Sequence, residues 1–133
     1  ANKTKVVIAS MLAHGTGKNL QQYQNQLFLQ WPRQAKLAEQ VIGRTHRNGQ
    51  LADELIVNTN HRIQFDELNF ASCLNDALYI HQTTATRQKL IYSSYDPMPK
   101  IYPSELLAER GMQVRMLSTQ QKQVLSEKFG QEI

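Results

Sequence analysis

Residues 40–50 are Gln40-Val41-Ile42-Gly43-Arg44-Thr45-His46-Arg47-Asn48-Gly49-Gln50. At about 100° per residue, a helix through this stretch places small or β-branched side chains on one side, namely those of Ala38, Val41, Ile42 and Thr45. The other side carries one amide and two guanidinium groups, those of Gln40, Arg44 and Arg47. Asn48 and Gly49 form a stop signal. The sequence therefore predicts an amphipathic helix over about 34–47.

The two arginines of this predicted helix have two interpretations. From periodicity alone, a solvated charged face is the more common explanation. The alternative is chemical, because a guanidinium never deprotonates in a protein and its planar fork of donors suits phosphate oxygens. An arginine of this kind can also stabilise the charge that builds on a transferring phosphoryl group, the role of an arginine finger.

The pattern Gln-x-x-Gly-Arg-x-His-Arg-x-Gly-Gln over 40–50 resembles motif VI of superfamily-two helicases and translocases. The trailing Asn48-Gly49-Gln50 is most similar to the chromatin-remodeller-like (SWI/SNF-type) branch. Gly43 departs from that branch, which usually carries an acidic residue there, and agrees with general helicases.

A second stretch, His14-Gly15-Thr16-Gly17-Lys18-Asn19-Leu20, invites comparison with a phosphate-binding P-loop. That pattern fails, because it needs a first glycine where Leu12 stands and a serine or threonine where Asn19 stands. The stretch instead resembles motif V of the same superfamily, although Lys18 replaces the usual apolar residue. A plain turn after a strand remains the alternative.

The two resemblances together cover about 5–58 and imply the latter part of the second RecA-like lobe of an ATP-driven motor. They imply that Arg47 is the arginine finger, Arg44 a second phosphate contact, and Gln40 the residue that orients both. Gln50 would fix the end of the helix. The nucleic-acid contacts implied by motif V are Thr16, Gly17, Lys18 and Asn19.

The family's phosphate-binding lysine motif, its acidic magnesium-binding box and the opening strands of the lobe do not occur in this sequence. The resemblance implies that ATP and Mg²⁺ bind the complete protein, and we expect this chain alone to bind neither and to be inactive. Because the chain begins with Ala1, we expect a piece of a longer protein, whose upstream lobe would be one partner. DNA, more specifically double-stranded DNA, would be the other.

Hydrophobic patterning predicts an α/β fold: a partial RecA-like parallel sheet with flanking helices over 1–60, followed by an α-helical appendage over 61–133 packed on it. The predicted strands are 6–9, 27–29 and 55–57. A hydrophobic staple around Asp66 predicts a helix over about 66–83, and 84–94 either extends it or forms another. Three prolines predict an irregular loop over 95–103. Two shorter helices follow, capped by Ser104 and by Ser118 or Thr119.

Composition limits the remaining possibilities. The 133 residues are 41% hydrophobic and carry a net charge of +4, which permits nucleic-acid binding without requiring it. The sequence has neither an apolar run long enough to span a bilayer nor a signal peptide, so we expect no membrane partner and an intracellular, cytoplasmic location in a bacterium or phage. A single cysteine, Cys73, excludes an internal disulfide, and four histidines without ligand spacing argue against a metal site. Oligomerisation is not indicated.

One further cluster has two interpretations. Three tyrosines lie close in sequence to two lysines, the set being Lys89, Tyr92, Tyr95, Lys100 and Tyr102. They could form a stacking surface for single strands or pack the proline-rich loop against the core. At the level of the whole chain, the leading hypothesis is a C-terminal fragment of an ATP-dependent DNA helicase or translocase. The rival is a non-enzymatic module, derived from such a fold, that binds nucleic acid or protein.

Overall fold

The computed structural model describes residues 6–11, 20, 23–46, 50–59, 64–112, 114–115 and 117–130. Within these ranges the chain forms two strands and five helices. The elements are β1 (Asn25–Phe28), α1 (Ala35–Ile42), β2 (Ile56–Thr59), α2 (Gln64–Thr84), α3 (Lys89–Tyr92), α4 (Ser104–Glu109) and α5 (Thr119–Phe129). The predicted mixed α/β class is therefore confirmed.

β1 and β2 pair in parallel, with Asn25 opposite Ile56 and Phe28 opposite Thr59, and α1 connects them. Parallel neighbours require such a crossover connection, so the strand, helix and strand form one βαβ unit. Gln26 on the inner face of the sheet donates a 2.9 Å hydrogen bond from Nε2 to the Val41 carbonyl near the end of α1. The second and third predicted strands are thus present, each shifted by one or two residues.

The first predicted strand is wrong. Val6 to Ala9 forms no strand, and the side chains of Val6 and Ile8 are 87% and 90% exposed. A β-branched run has the propensity for a strand, but a strand also needs a partner for its backbone groups. Among the described residues, the only ladder is the one between β1 and β2.

α1 buries most of the side that the sequence predicts, since Ala38 and Ile42 are almost completely inaccessible to solvent and Val41 is half-buried. Thr45, in the turn after the helix, is buried as well. It ends at Ile42, however, and not near residue 47. From Gly43 the chain tightens, because Arg44 and Thr45 donate backbone hydrogen bonds to carbonyls three residues back instead of four. A Cβ on Gly43 would lie 3.1 Å from the Glu39 carbonyl oxygen, a tight contact that the glycine avoids.

α2 is the central helix of the molecule. Every residue from 68 to 78 is buried, on all sides of the helix, as a helix surrounded by other elements must be. The prediction of a helix here is confirmed, whereas the predicted cap at Asp66 is wrong: the helix begins at Gln64, and Phe65 is 44% exposed. Two residues of α2, Asn75 and Asp76, point carboxamide and carboxylate oxygens at neighbouring segments.

The remaining elements cover α2. The second alternative for 84–94 is correct, because α3 is a separate short helix that buries Leu90 and Ile91. The loop over 93–103 is irregular, as predicted. Ser104 is the first residue of α4 and not its cap, because Pro103 occupies the cap position. Ser118 caps α5 as predicted and forms a reciprocal capping box with Gln121.

One continuous hydrophobic core joins the residues before and after position 60. Aromatic rings run through it from β1 to α5, with centroid distances of 4.4 Å for Phe28–Trp31, 4.9 Å for Trp31–Phe70, 5.9 Å for Phe70–Tyr95 and 5.4 Å for Tyr95–Phe129. Tilted and edge-on pairs at these distances contribute attraction beyond the area they bury. The βαβ unit and the helices that follow it therefore share their packing.

None of the helices in the described ranges has both the length and the apolar character needed to cross a membrane.

Candidate functional site

The residues that the sequence selects for phosphate contacts divide between described and undescribed parts of the chain. Gln40 lies in the last turn of α1 and Arg44 in the tight turn that follows it, both half-buried. The predicted finger, Arg47, lies outside the described residues. So do the predicted nucleic-acid contacts, which are Thr16, Gly17, Lys18 and Asn19.

Arg44 is anchored at its side chain and at its backbone. Its Nε donates a 3.1 Å hydrogen bond to the Gln40 carbonyl, so Gln40 contacts the guanidinium through its main chain. The Arg44 carbonyl in turn accepts a 2.8 Å hydrogen bond from the backbone N–H of Leu20. Leu20 is the last residue of the glycine-rich stretch 14–20. The structure therefore places Leu20, the end of the stretch that resembles motif V, against Arg44 of the stretch that resembles motif VI. We call this second stretch, residues 40–50, the arginine segment.

Gln50 holds the far side of the same turn. Its Nε2 donates to the Thr45 carbonyl at 3.1 Å and to the Tyr23 carbonyl at 2.8 Å, while its Oε1 accepts from the backbone N–H of Ala52 at 3.0 Å. One side chain thus joins the turn after α1, the segment before β1 and the loop that leads to β2. The resemblance places Gln50 at the end of the helix, and in the structure its side chain holds the turn that follows α1.

A cleft of about 1280 Å³ lies beside the turn that follows α1. Its lining includes Trp31, His46, Gln50, Glu67 and Phe70, together with most of residues 52–59 and most of residues 87–100. Sites for small molecules usually measure roughly 300–1,000 Å³, so this open cleft is larger than a typical small-ligand pocket.

The three tyrosines of residues 92–102 are not equivalent. Tyr95 donates from its hydroxyl to the Leu90 carbonyl at 2.7 Å, and its burial raises its pKa. Tyr102 donates to Glu67 Oε2 at 2.7 Å, and burial, followed by that hydrogen bond and the Glu67 charge, raises its pKa to about 12. Tyr92 alone of the three is exposed, at 53%. Two of the tyrosines therefore pack the loop, and Tyr92 is presented to solvent.

Sequence reasoning missed Arg87, whose guanidinium carbon lies 4.2 Å from the centre of the Tyr92 ring. His81 packs edge-on against the same ring at 5.3 Å. The alternation of basic and aromatic residues over 87–102 was a signal for this surface. It did not indicate that Arg87 stacks on Tyr92, because that contact depends on the turn between α2 and α3, where Ala85 adopts a φ of 55°.

Sequence reasoning also missed a buried carboxylate. Asp76 Oδ2 accepts the backbone N–H of Ala35 at 2.9 Å, and its Oδ1 accepts Arg115 Nε at 3.2 Å. Ala35 is the first residue of α1, and Gln34 before it offers no side-chain cap. A carboxylate at a helix N-terminus satisfies an otherwise unpaired donor and complements the helix dipole. Asp76 therefore has a structural role in joining α2 to α1.

Cys73 is completely buried in α2, and this burial raises the pKa of its thiol from 9.0 to about 12. A thiol in this state is a poor nucleophile, as the sequence interpretation of a small core residue predicts. Across the described ranges, no three acidic, histidine or cysteine side chains come together as a metal site would require.

Compared with protein-family models, curated proteins and solved structures, the chain shows no significant match.

Proposed function

We propose that this chain forms the C-terminal part of the second RecA-like lobe of an ATP-dependent DNA helicase or translocase. The observation that carries the proposal is the 2.8 Å hydrogen bond from Leu20 to Arg44. Two stretches that resemble consecutive helicase motifs meet at this bond, although 24 positions separate them. The parallel β1–α1–β2 unit, which supports the arginine segment, is of the kind found in such lobes.

In this proposal Arg47 is the arginine finger and Arg44 a second contact to the nucleotide's phosphates. The geometry of Arg44 favours such a role, because the bond from its Nε to the Gln40 carbonyl restricts the orientation of the guanidinium. A preorganised donor costs little reorganisation when charge develops on a phosphoryl group. Gln50, by holding the Thr45 carbonyl, keeps the turn that carries both arginines in place.

ATP, when bound with Mg²⁺ in the complete protein, supplies the phosphoryl group whose hydrolysis drives movement. The donor set in this chain, one amide and two guanidinium groups, is suited to phosphate oxygens but not to the metal ion. The lysine and acidic motifs that complete such a site do not occur in this sequence. The proposal therefore gives this chain one wall of the nucleotide cleft and assigns the other wall to an upstream lobe.

The proposed contacts to double-stranded DNA are Thr16, Gly17, Lys18 and Asn19. Backbone donors and a threonine hydroxyl can hold a phosphate backbone without reading its sequence. Since Leu20 follows them directly and binds Arg44, these residues would connect DNA to the nucleotide side of the lobe.

The test is ATP turnover, with and without DNA, by the longest form of the protein that the gene encodes. We expect DNA to stimulate turnover, and we expect Arg47→Ala to lower it by about a thousandfold. Arg110→Ala, at an exposed position outside the proposed site, is the matched control and should retain turnover. If the intact protein hydrolyses no ATP, or if both variants behave alike, the motor proposal is wrong.

The cleft beside His46 favours a second candidate, a nucleic-acid- or protein-binding module without enzymatic activity. This function needs only the surface over 87–100 and no arginine finger. Nucleic-acid binding by a protein that lacks DNA-stimulated ATP turnover would identify it.

A further inference from the structure

Arg115 is held at the surface by contacts that leave most of its guanidinium available. Its backbone N–H donates to Asn75 Oδ1 at 2.9 Å, and its Nε donates to Asp76 Oδ1 at 3.2 Å. Its guanidinium carbon lies 5.1 Å from the centre of the Tyr79 ring, within the range at which the face of a ring attracts a cation. The side chain is 41% exposed, and these contacts leave the terminal nitrogens Nη1 and Nη2 as donors.

Asp76 places Arg115 beside the start of α1. The same carboxylate accepts the backbone N–H of Ala35 through Oδ2 at 2.9 Å, so one buried group joins the two residues. Two further cations flank Ala35 in the chain, Arg33 two residues before it and Lys36 directly after it, and both are exposed. The fold thus brings together cations that are far apart in the sequence. We call the three residues Arg33, Lys36 and Arg115 the basic surface.

The segment after α4 holds the guanidinium of Arg33. Arg33 Nη1 donates to the Gly111 carbonyl at 3.0 Å, which leaves the other N–H groups of this exposed side chain as donors. Immediately before Gly111, the opposite charges of Glu109 and Arg110 cancel. This segment therefore orients Arg33 without neutralising it.

The basic surface has an excess of positive charge. The carboxylate in contact with its three cations is that of Asp76, which is 3% exposed. Of the two ion pairs that the described residues form, one joins Arg115 to Asp76 and the other involves neither Arg33 nor Lys36. An exposed surface with this excess attracts anions from solution.

We propose that the basic surface binds the phosphodiester backbone of DNA. A guanidinium can offer a phosphate two parallel hydrogen bonds, and both arginines are held in ways that leave donors for this contact. The three exposed cations come from two separate segments, which suits a polymer with a charge at every repeat, whereas a small ligand is usually held in an enclosed site. The inference rests on the proposed function only for the choice of DNA as the polymer, and it adds a contact area outside the glycine-rich stretch.

The experiment measures binding of a fluorescein-labelled DNA duplex to the full-length protein by fluorescence anisotropy across a series of salt concentrations. We expect Arg33→Gln to weaken binding by about fivefold and to reduce the slope of log K against log salt by about 0.9, the value for one lost phosphate contact. Lys36→Gln should reduce the slope by a similar amount. Arg33→Lys keeps the charge but not the fork of donors, so it should keep the wild-type slope and weaken binding by only about twofold.

Lys122→Gln is the matched control, because it makes the same change of charge at an exposed position of α5, and it should change affinity by less than about twofold. Equal affinities for Arg33→Gln and Lys122→Gln would overturn the proposal, and so would a wild-type protein that binds no DNA at low salt.

Competition with poly-L-glutamate distinguishes phosphate from carboxylate as the partner's anion. We expect unlabelled duplex to displace the labelled DNA far better than poly-L-glutamate at the same concentration of charge. If the two competitors are equally effective, the basic surface recognises acidic polymers in general and the proposal is wrong. ATP turnover is not measured in these experiments, so a protein that binds DNA through this surface but hydrolyses no ATP would refute the motor function alone.

Discussion

α2 and the two-stranded sheet distribute polar and apolar side chains in opposite ways. Residues 68–78 of α2 are all buried, although four of them are polar: Asn69, Ser72, Asn75 and Asp76. The outer face of the sheet exposes Leu27 at 62% and Ile56 at 43%. In this molecule, therefore, the burial of a segment depends more on the number of elements that surround it than on its own hydrophobicity.

The two regions consequently depend on different interactions. α2 is covered by the other helices and by the βαβ unit, so its apolar side chains contribute fully to stability. Of the two faces of the sheet, the one that carries Leu27 and Ile56 is left exposed by the described residues, whereas parallel sheets are ordinarily covered on both faces. We expect substitutions in α2 to be far more costly than equivalent substitutions on the open face of the sheet.

The largest expected effect comes from a pair of leucines. Leu74→Ala removes a side chain that is 1% exposed and leaves a cavity, which should lower the free energy of unfolding by about 2–5 kcal/mol. Leu27→Ala makes the same change at a site that is 62% exposed and should cost less than about 0.5 kcal/mol. Urea titrations of both variants measure the difference, and equal costs would show that the outer face of the sheet is covered in solution.

The next effect concerns the buried polar face of α2. Asp76→Ala leaves the Ala35 N–H at the start of α1 without an acceptor, which should cost about 2 kcal/mol. The Arg115 partner is 41% exposed, so its ion pair adds little. Asp96→Ala, at an exposed position, is the control. Thermal unfolding would contradict this account if both aspartate variants melted at the wild-type temperature.

Cys73 gives the α2 region a dependence on alkaline pH. Its thiol has a pKa of 9.0 unfolded and about 12 folded, so the folded state binds more protons between these values and stability falls as pH rises through this range. Between pH 8 and 10.5 the loss should reach about 2 kcal/mol. Tyr95 and Tyr102, whose pKa values are also raised, add to the decline. Cys73→Ala should flatten the profile measured by urea unfolding, and an unchanged slope would contradict the assignment.

The smallest expected effect on stability comes from Gln50, which lies beside the sheet. Gln50→Ala removes three hydrogen bonds from a half-buried amide and should lower stability by about 1 kcal/mol. Gln30→Ala, at an exposed position, should change it by less than about 0.5 kcal/mol. Denaturation midpoints of the two variants provide the measurement. Indistinguishable midpoints would mean that Gln50 adds nothing to the turn after α1.

Local patterns predicted much of the fold. The sequence predicted a helix over about 66–83 and gave Ser118 or Thr119 as the start of the last helix, because signals of this kind depend on neighbours within one or two turns. The end of α1 was predicted five residues too late. The tight turn after Gly43 depends on close carbonyl contacts that a helical plot does not contain.

Features that depend on distant partners could not be read from the sequence. The run Val6 to Ala9 has the composition of a strand, yet strand formation depends on a pairing edge that composition does not reveal. The cap that Asp76 provides lies 41 positions from Ala35. Within the candidate site, the sequence selected Gln40, Arg44 and Gln50, but it could not show the bond from Leu20 to Arg44 or the stacking of Arg87 on Tyr92.

The register of the sheet has a consequence for the order of folding. Asn25 pairs with Ile56, 31 positions away, whereas α2 is built from contacts within single turns. Closing a long loop costs entropy before the pairing repays it, so non-local strand pairs tend to form late. We expect the transition state to contain α2 and its nearest packing partners but not the sheet. Val57→Ala should therefore mainly accelerate unfolding, and Ala77→Gly should mainly slow folding. Stopped-flow kinetics with the reverse pattern would show that the sheet nucleates the fold.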